Sequence, residues 1–252
     1  MWNIHQYNIL PSTQTLAKER LLSGKAGDSD VFIAHHQTEG RGRFADRIWL
    51  DEPNMNLLMS IVLTDIPEHL KDKMQFVAAL SVLKMIRQFL HEHDNFFYDS
   101  VRLKWTNDIL IDEKKVAGIV TEAVWSGDTL KGVVIGIGIN VNQENFQPEI
   151  SDTAVSLKEV TKETISLEEI SDLMLDELAT VTESFHSKEA LMSDLRKELD
   201  WMRNLRKFSP TDHDGTNFNG LRYDGITSEG ALRCILPQGE VKIFQNATLH
   251  LA

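Results

Sequence analysis

The stretch "VRLKWTNDILIDEKKVAGIVTEAVWSGDTLKGVVIGIGINVN", residues 101–142, decides the fold. Its apolar residues fall into short runs separated by polar turn residues, which is typical of β-strands joined by short connections. The "DEKK" segment between Ile111 and Val116 has the composition of a hairpin turn. In such a hairpin we expect Asp108 and Lys115 to lie near one another on neighbouring strands.

The segments on either side of this stretch predict further strands and several helices. The apolar runs "DVFIAHHQ" and "NMNLLMSIVL" have the composition of buried strands. "PSTQTLAKERLL" predicts a helix capped by Ser12, and "QFVAALSVLKMIRQFL" has the apolar spacing of a helix packed on a sheet. Beyond residue 150 the pattern is helical, in "SLEEISDLMLDELATVTESF" and over residues 188–205. We therefore predict an α+β fold with helices packed on a mixed β-sheet.

The last part of the chain has a different pattern. From residue 207 onward, short alternating runs are separated by DG, SEG and PQG turns. This pattern predicts a small closed β-barrel. The polar segment "KFSPTDHDG" is typical of a linker. We therefore expect a catalytic domain over residues 1–206 and a small C-terminal β-barrel domain over residues 207–252.

Composition excludes several classes of protein. The 252 residues are 42% hydrophobic and 25% charged, which is ordinary for a globular protein. No apolar run is long enough to cross a bilayer, and the N-terminus lacks the pattern of a signal peptide. With a single cysteine, a reducing cytoplasm is expected. The formal net charge of −12 disfavours nucleic-acid binding, but a local basic patch can still hold a small anion.

One such patch is "HQTEGRGRFADRIW", residues 36–49. It gathers three arginines, two glycines and a tryptophan: Arg41, Arg43, Arg47, Gly40, Gly42 and Trp49. Glycine permits positive φ and a close approach of the backbone to a ligand, and guanidinium forks suit phosphate or carboxylate oxygens. Trp49 offers a flat apolar wall. The segment is either an anion-binding loop or a solvated surface loop.

Two further segments carry polar residues at strand ends. Lys104, Trp105, Asn107 and Asp108 form one cluster, and Lys115 follows after the hairpin turn, close to small residues that leave it room to face a ligand. A paired Asp108 could orient this lysine or later accept a proton. A plain ion pair in a surface turn is the alternative. "GIGIN", which ends at Asn140, is not a dinucleotide fingerprint, because no third glycine follows at the required spacing. Asn140 suits a hydrogen bond to a sugar or base, or the capping of a turn.

Taken together, "GRGRFADRIW", "KWTND", "KKVAGI" and "GIGINV", in that order and spacing, resemble the biotin–protein ligase family (biotin–acetyl-CoA-carboxylase ligases). "STQ", Ser12–Gln14, matches that family's Ser-Thr-Asn, and "GITSEGAL" matches its small C-terminal domain. The resemblance covers essentially the whole chain. It implies a class II synthetase-like catalytic domain of the biotin–lipoate ligase type.

The resemblance also implies an activity. Such an enzyme joins biotin to ATP, with Mg²⁺ held through the phosphates, and forms biotinyl-5′-AMP and pyrophosphate. It then transfers biotin to a lysine of a biotin carboxyl carrier domain. Too few residues precede Ser12 for a DNA-binding domain, so the resemblance is to a short form, with no DNA or membrane partner expected. A monomer or a homodimer is expected.

The family's functional residues match positions of this chain. The implied catalytic residues are Lys115, Arg43 and Asp108. The implied biotin-binding residues are Ser12, Thr13, Gln14, Gln37, Gly40, Arg41, Gly42, Arg43, Lys115 and Gly118. The implied nucleotide-binding residues are Arg41, Arg43, Arg47, Trp49, Lys104, Asn107 and Asn140. No metal-binding spacing is found, so Mg²⁺ is expected to bind through the phosphates.

The chain departs from the family pattern at three places. Thr106 replaces a proline, which predicts a less rigid loop, and Gln14 replaces an asparagine. One extra residue separates Arg43 from Arg47, so the role of Arg47 stays open. Two alternative functions also stay open: a lipoate or octanoate ligase or transferase of the related family, and a non-catalytic biotin sensor. Retention of Lys115 and all three arginines speaks against the sensor.

Overall fold

A computed structural model describes residues 1–44, 47–93, 96–205, 208–212 and 215–251 of the chain. Its centre is a seven-stranded sheet with strand order β1-β2-β3-β7-β6-β5-β4. The strands are β1 (Asn3–Tyr7), β2 (Asp30–Ala34), β3 (Asn56–Leu63), β4 (Val101–Lys104), β5 (Asp108–Ile111), β6 (Lys114–Ser126) and β7 (Thr129–Asn140). β1 and β2 are parallel and the other pairs are antiparallel, so the predicted mixed sheet is confirmed.

The stretch over residues 101–142 forms four consecutive strands, as predicted. Asp112 and Glu113 connect β5 to β6 with φ of 48° and 66°. A two-residue connection with positive φ at both positions matches the right-handed twist of the two strands. This tight turn fixes the register, in which Asp108 is opposite Gly118.

Five helices are found in the described residues, and they cover both faces of the sheet. They are α1 (Thr13–Leu22), α2 (Met74–Glu92), α3 (Leu157–Thr161), α4 (Leu167–Ser184) and α5 (Lys188–Leu199). Ser12 caps α1 as predicted, since its side chain accepts a hydrogen bond from the backbone N–H of Thr15. α1 packs on one face through a small apolar cluster, and α2 and α4 build the main core on the other.

The C-terminal strands form two antiparallel sheets in the described residues. The strands are β8 (Phe208–Asp212), β9 (Arg222–Ile226), β10 (Leu232–Ile235), β11 (Val241–Phe244) and β12 (Ala247–Leu251). β9, β10 and β11 form one sheet, and β8 pairs with β12 in the other. The α+β class with a small C-terminal β region is confirmed, and the expected barrel takes the form of these two sheets.

The C-terminal sheets share their apolar core with the main sheet, because Leu232 and Phe244 belong to the same buried cluster as α2. The indole nitrogen of Trp105 donates to the carbonyl of Gly230 over 2.8 Å, which ties the two parts together. The predicted boundary between residues 206 and 207 lies outside the described residues. Among the residues described, no helix has the length and apolar character needed to cross a membrane.

Candidate active site

A cavity of about 970 Å³ opens above β5, β6 and β7. Fourteen of the sixteen predicted site residues line it: Ser12, Thr13, Gln14, Gln37, Arg41, Gly42, Arg43, Arg47, Trp49, Lys104, Asn107, Asp108, Lys115 and Gly118. The fold thus brings together segments that lie up to about a hundred residues apart in the chain. The two predicted residues that do not line it are Gly40 and Asn140.

One end of the cavity, here called the charged end, consists of Arg43, Lys104, Asp108 and Lys115. Lys115 Nζ lies 2.7 Å from Asp108 Oδ1, and Lys104 Nζ lies 3.1 Å from Asp108 Oδ2. The predicted proximity of Asp108 and Lys115 is therefore confirmed. Burial by itself raises the pKa of the Asp108 carboxyl, but the two lysines outweigh burial and lower that pKa to about 2.

Arg43 joins the charged end to the C-terminal region. Its guanidinium donates hydrogen bonds to Thr106 Oγ1 and to Asn246 Oδ1, and it lies 5.5 Å from the centre of the Trp105 ring. Burial lowers the pKa of this guanidinium, and the Asp108 charge opposes that shift. Thr106, which stands in place of the family's proline, thus supplies a hydrogen-bond acceptor that proline lacks.

The rest of the arginine loop is more open. The Arg41 side chain is 66% exposed and lies 3.8 Å from Glu39. Gly42 donates from its backbone N–H to the Arg47 carbonyl over 2.8 Å, which closes this part of the loop.

Neither Gly40 nor Gly42 has positive φ, so the expectation that these glycines adopt positive φ is wrong. Packing accounts for both glycines, because an added Cβ would lie within 2.9 Å of Trp49 or Arg47 atoms. Ala45 and Asp46 lie outside the described residues.

Gly138 of "GIGIN" and Gly118 of β6 leave space for an aromatic ring, whereas Gly136 leaves space for the Gln14 amide. A Cβ added at Gly138 would lie 2.7 Å from Cε2 of Trp49, and one added at Gly118 would lie 3.0 Å from its Cζ3. The Trp49 ring therefore rests on the bare backbone of β6 and β7. Lys115 Nζ is 5.5 Å from the centre of this ring. Trp49 thus forms a wall beside the charged end, and its buried indole nitrogen has no hydrogen-bond partner among the described residues.

The other end, here called the hydroxyl end, consists of Thr13, Gln14, Gln37 and Ser60. The backbone N–H of Thr13 donates to Gln37 Oε1 over 2.7 Å, and Thr13 Oγ1 lies 2.9 Å from Ser60 Oγ. Ser60 donates to Gln14 Oε1 over 3.1 Å. Sequence analysis missed Ser60, whose only signal is a single hydroxyl within the apolar strand "NLLMSIVL".

The register of the sheet sets the relation between the two ends. Ser60 is opposite Gly136, and Gly118 is opposite Gly138. Because alternate residues of a strand point to the same face, Gly136 and Gly138 both face the cavity, two positions apart on β7. The hydroxyl end therefore lies roughly 7 Å along the strand from the charged end, within the length of a small elongated ligand.

Asn140 does not line the cavity but hydrogen-bonds to the backbone of a residue that does. Its side chain is buried, and Nδ2 donates to the backbone carbonyls of Lys115 and Val155 over 3.3 and 3.2 Å. In this structure Asn140 therefore binds the backbone of Lys115. Direct contact of Asn140 with a nucleotide, which the resemblance implies, stays a prediction.

Comparison with known proteins defines the class to which this site belongs. Residues 7–140 match the biotin/lipoate A/B protein ligase family, and the chain belongs to that family. The bifunctional ligase/repressor BirA of Bacillus subtilis (strain 168) is 36% identical over 63% of this chain and 47% of its own length. The biotin–[acetyl-CoA-carboxylase] ligase of Mycobacterium tuberculosis is 29% identical over 73% of this chain and 66% of its own length. The chain thus spans about half the length of its BirA relatives.

Solved structures show the same fold. The biotin protein ligase from Aquifex aeolicus in complex with biotin and ATP aligns over 100% of both chains, with a TM-score of 0.80 and 24% identity. The biotin protein ligase from Leishmania major in complex with biotinyl-5-AMP has a TM-score of 0.64 and 22% identity over 97% of this chain and 99% of its own. The predicted resemblance to biotin–protein ligases is confirmed.

Proposed function

We propose that this protein is an ATP-dependent biotin–protein ligase. It forms biotinyl-5′-AMP and transfers biotin to one lysine of a biotin carboxyl carrier domain. The observation that most directly supports this function is one cavity with a Lys–Asp–Lys cluster at one end and hydroxyl and amide groups at the other. The names of the relatives, which are biotin ligases, support biotin over the other acids handled in the family.

In the first half-reaction, a biotin carboxylate oxygen attacks the α-phosphorus of ATP, and pyrophosphate leaves. Both reactants are anions, so positive groups must lie at the reacting centre. Lys115 on β6 and Lys104 on β4 supply these charges from the two strands that flank β5, and Arg43 lies beside Thr106 at the same end of the cavity. The exposed Arg41 and Arg47 would close over the phosphates.

Mg²⁺ enters this proposal as the counter-ion of the ATP phosphates, where it supplies further charge neutralisation. In the described residues, no group of three or more His, Cys, Asp and Glu side chains forms a metal site. We expect Mg²⁺ to be held mainly by phosphate oxygens, since Asp108 is already engaged by two lysines.

In the second half-reaction, a neutral amine of the acceptor lysine attacks the biotinyl carbonyl. The new amide bond forms, the bond to the phosphate oxygen breaks, AMP leaves, and the proton lost by the attacking nitrogen goes to solvent. Asp108 has a pKa of about 2 in this arrangement, and such a carboxylate is a weak proton acceptor near neutral pH. We therefore assign Asp108 the role of orienting Lys115 and Lys104, rather than that of general base.

The nucleotide would lie against Trp49, whose buried indole nitrogen is available as a donor. Asn107 also lines this part of the cavity. Asn140 would position Lys115, because its side chain donates a hydrogen bond to the Lys115 backbone carbonyl.

The test of the proposed function is pyrophosphate release by the purified protein with ATP and Mg²⁺, in parallel with biotin, lipoate or octanoate. Release that depends on biotin is the expected result, and mass spectrometry should then detect biotinyl-adenylate. Release with lipoate or octanoate instead would assign the protein to the lipoyl branch of the family. Biotin binding without release would make it a sensor.

A further inference from the structure

The β9–β10 turn, residues 227–231, contacts the main sheet next to the charged end. Its backbone is fixed from within, because the Thr227 hydroxyl oxygen accepts hydrogen bonds from the backbone N–H groups of Glu229 and Ala231 over 3.2 and 3.1 Å. Gly230 has a φ of 89°, which favours glycine, and donates from its backbone N–H to the Thr227 carbonyl. The turn is therefore a well-defined unit, and the rest of the protein holds it at two points.

The first point is an ion cluster around the Glu229 carboxylate. Glu229 Oε2 lies 2.9 Å from Lys73 Nζ and 2.7 Å from Lys188 Nζ. Lys73 immediately precedes α2 and Lys188 is the first residue of α5, so one carboxylate ties the β9–β10 turn to two helices. Hydrogen bonds from Lys188 and Lys73 lower the pKa of the Glu229 carboxyl to about 2, so it is ionised at neutral pH.

Lys73 is the buried member of this ion cluster. Its side chain is 4% exposed, and its Nζ also lies 2.6 Å from Asp72 Oδ2. Burial lowers the pKa of the Lys73 ammonium, but Asp72 and Glu229 outweigh burial and raise that pKa. Asp72 is its neighbour in the chain, whereas Glu229 is 156 positions away. Because a buried charge that loses a partner is costly, Lys73 holds the distant Glu229 more firmly than an exposed lysine would.

The second point is Gly230, which packs on two aromatic side chains. The indole nitrogen of Trp105 donates to the Gly230 carbonyl over 2.8 Å, and Trp105 is 2% exposed. A Cβ added at Gly230 would collide with the ring of Phe76, so a bare backbone is what lets the turn lie this close to α2. The position of Gly230 thus fixes the position of the Trp105 ring.

Trp105 extends this constraint into the charged end through its two chain neighbours and its ring. Lys104 forms an ion pair with Asp108, and Thr106 accepts a hydrogen bond from Arg43. The Arg43 guanidinium also lies 5.5 Å from the centre of the Trp105 ring. A shift of Trp105 therefore displaces two of the cations used in the proposed first half-reaction. A misplacement of about 1 Å at a reacting centre can lower a rate by about 10².

We propose that Glu229 is a positioning residue for the charged end, and that it acts through Gly230 and Trp105. Its ion pairs fix the β9–β10 turn, the turn fixes the Trp105 ring, and the ring fixes the cations beside it. Glu229 thus acts through its neighbours, and not by contact with a substrate. The kinetic part of this inference rests on the proposed function, whereas the link from Glu229 to Trp105 is measurable without any substrate.

The first measurement is heteronuclear NMR of the five tryptophan indole N–H groups in the full chain without substrate. The Trp105 resonance is assigned from its absence in Trp105→Phe. Glu229→Gln keeps the size of the side chain but removes its charge, so we expect the Trp105 resonance to shift and its N–H to exchange with solvent about tenfold faster. Glu240→Gln, which removes an exposed acid from the β10–β11 turn, is the control and should leave this resonance unchanged.

The second measurement is kcat for biotin-dependent pyrophosphate release, with the dissociation constant for biotin from calorimetry. Glu229→Gln should lower kcat about tenfold and retain the dissociation constant, because the charged end is displaced and the hydroxyl end is not. In the Trp105→Phe background the same substitution should have little further effect, since the link through the indole N–H is already lost. Equal falls in kcat in both backgrounds would show a merely structural role and overturn the inference.

Lys188→Gln keeps the test independent of how Glu229→Gln folds. It removes one of the two lysine partners of Glu229 and leaves Lys73 in place, so we expect the same changes in smaller size. A Trp105 resonance and a kcat that are both unmoved in Lys188→Gln would overturn the inference. If the unaltered protein releases no pyrophosphate with biotin while the Trp105 resonance still responds to Glu229→Gln, the proposed function fails and the link from Glu229 to Trp105 stands.

Discussion

The charged end of the cavity lies toward an edge of the sheet, whereas the hydroxyl end lies over its central strands. At the charged end, Asp108 and Lys115 come from the β5–β6 hairpin and form an ion pair. Arg43 comes from the arginine loop and donates hydrogen bonds to Thr106 and Asn246. These contacts involve ions and segments from three parts of the chain. The charged end is thus an assembly of separate segments of the chain.

The hydroxyl end is built from neutral hydrogen bonds on the most regular part of the fold. Thr13 is the first residue of α1, and Ser60 is fully buried on β3. The two ends therefore suit different tasks. The hydroxyl end suits recognition of a ligand before the reaction, and the charged end suits stabilisation of charge during it. If this division is right, variants at the two ends will affect different kinetic parameters.

Lys115→Ala gives the largest expected effect. In the proposed mechanism this variant removes a positive charge at the reacting carboxylate and α-phosphate, so biotin-dependent pyrophosphate release should fall by about 10²–10³ in kcat. The apparent KM for biotin should change much less. The control is Lys114→Ala, which removes an exposed lysine from the adjacent position of β6. Near-normal turnover of Lys115→Ala would remove this residue from the mechanism.

Thr13→Val tests the opposite end. The variant keeps the shape of the side chain and the backbone N–H that donates to Gln37, but it loses the hydroxyl. We expect the KM for biotin to rise roughly tenfold, with kcat at saturating biotin retained, because one hydrogen bond in a buried site is lost. Steady-state kinetics measure both parameters, with the exposed Thr129→Val as control. A fall in kcat without a rise in KM would contradict the division between the two ends.

The two ends also differ in how far the sequence predicted them. The Asp108–Lys115 pair was predictable because it depends on a local hairpin whose turn composition sets the register. Ser60 was not, because one serine in an apolar strand is ordinary unless the neighbouring elements are known. The Arg43–Asn246 contact joins residues 203 positions apart, and no periodicity in the sequence encodes such a contact.

The fold itself was also largely predictable, because its secondary structure depends on local sequence patterns. Strand and helix patterns are local, so the elements of the mixed sheet and the helices could be read from apolar spacing. The strand order was not readable, because it depends on which apolar faces pack together. The role of "GIGIN" was likewise hidden, since Gly138 leaves space for Trp49, a residue nearly ninety positions earlier in the chain.

The two ends of the cavity also differ in how they respond to pH, because the charged end contains the carboxyl of Asp108 and the hydroxyl end consists of neutral side chains. The Asp108 pKa of about 2 lies below the ordinary 3.8, so its ion pairs stabilise the folded state above pH 4, and this contribution is lost as the pH falls toward 2. Between pH 6 and pH 3 the loss amounts to about 1 kcal/mol in the free energy of unfolding. Asp108→Asn should lose that much less stability over this interval, as urea denaturation at the two pH values would measure. Equal losses would mean that the two lysines do not stabilise the carboxylate.

Asn246→Ala gives the smallest expected effect, and it asks whether the C-terminal region belongs to the charged end. Asn246 is one of two hydrogen-bond acceptors for Arg43, and Thr106 remains in the variant. Because only one of the two contacts is lost, pre-formed biotinyl-adenylate should dissociate about threefold faster, while the free energy of unfolding is retained. The control is Gln238→Ala, at an exposed turn of the same C-terminal region. An unchanged dissociation rate would confine the charged end to the main sheet and its loop, and would leave Asn246 as a structural contact between the two parts of the protein.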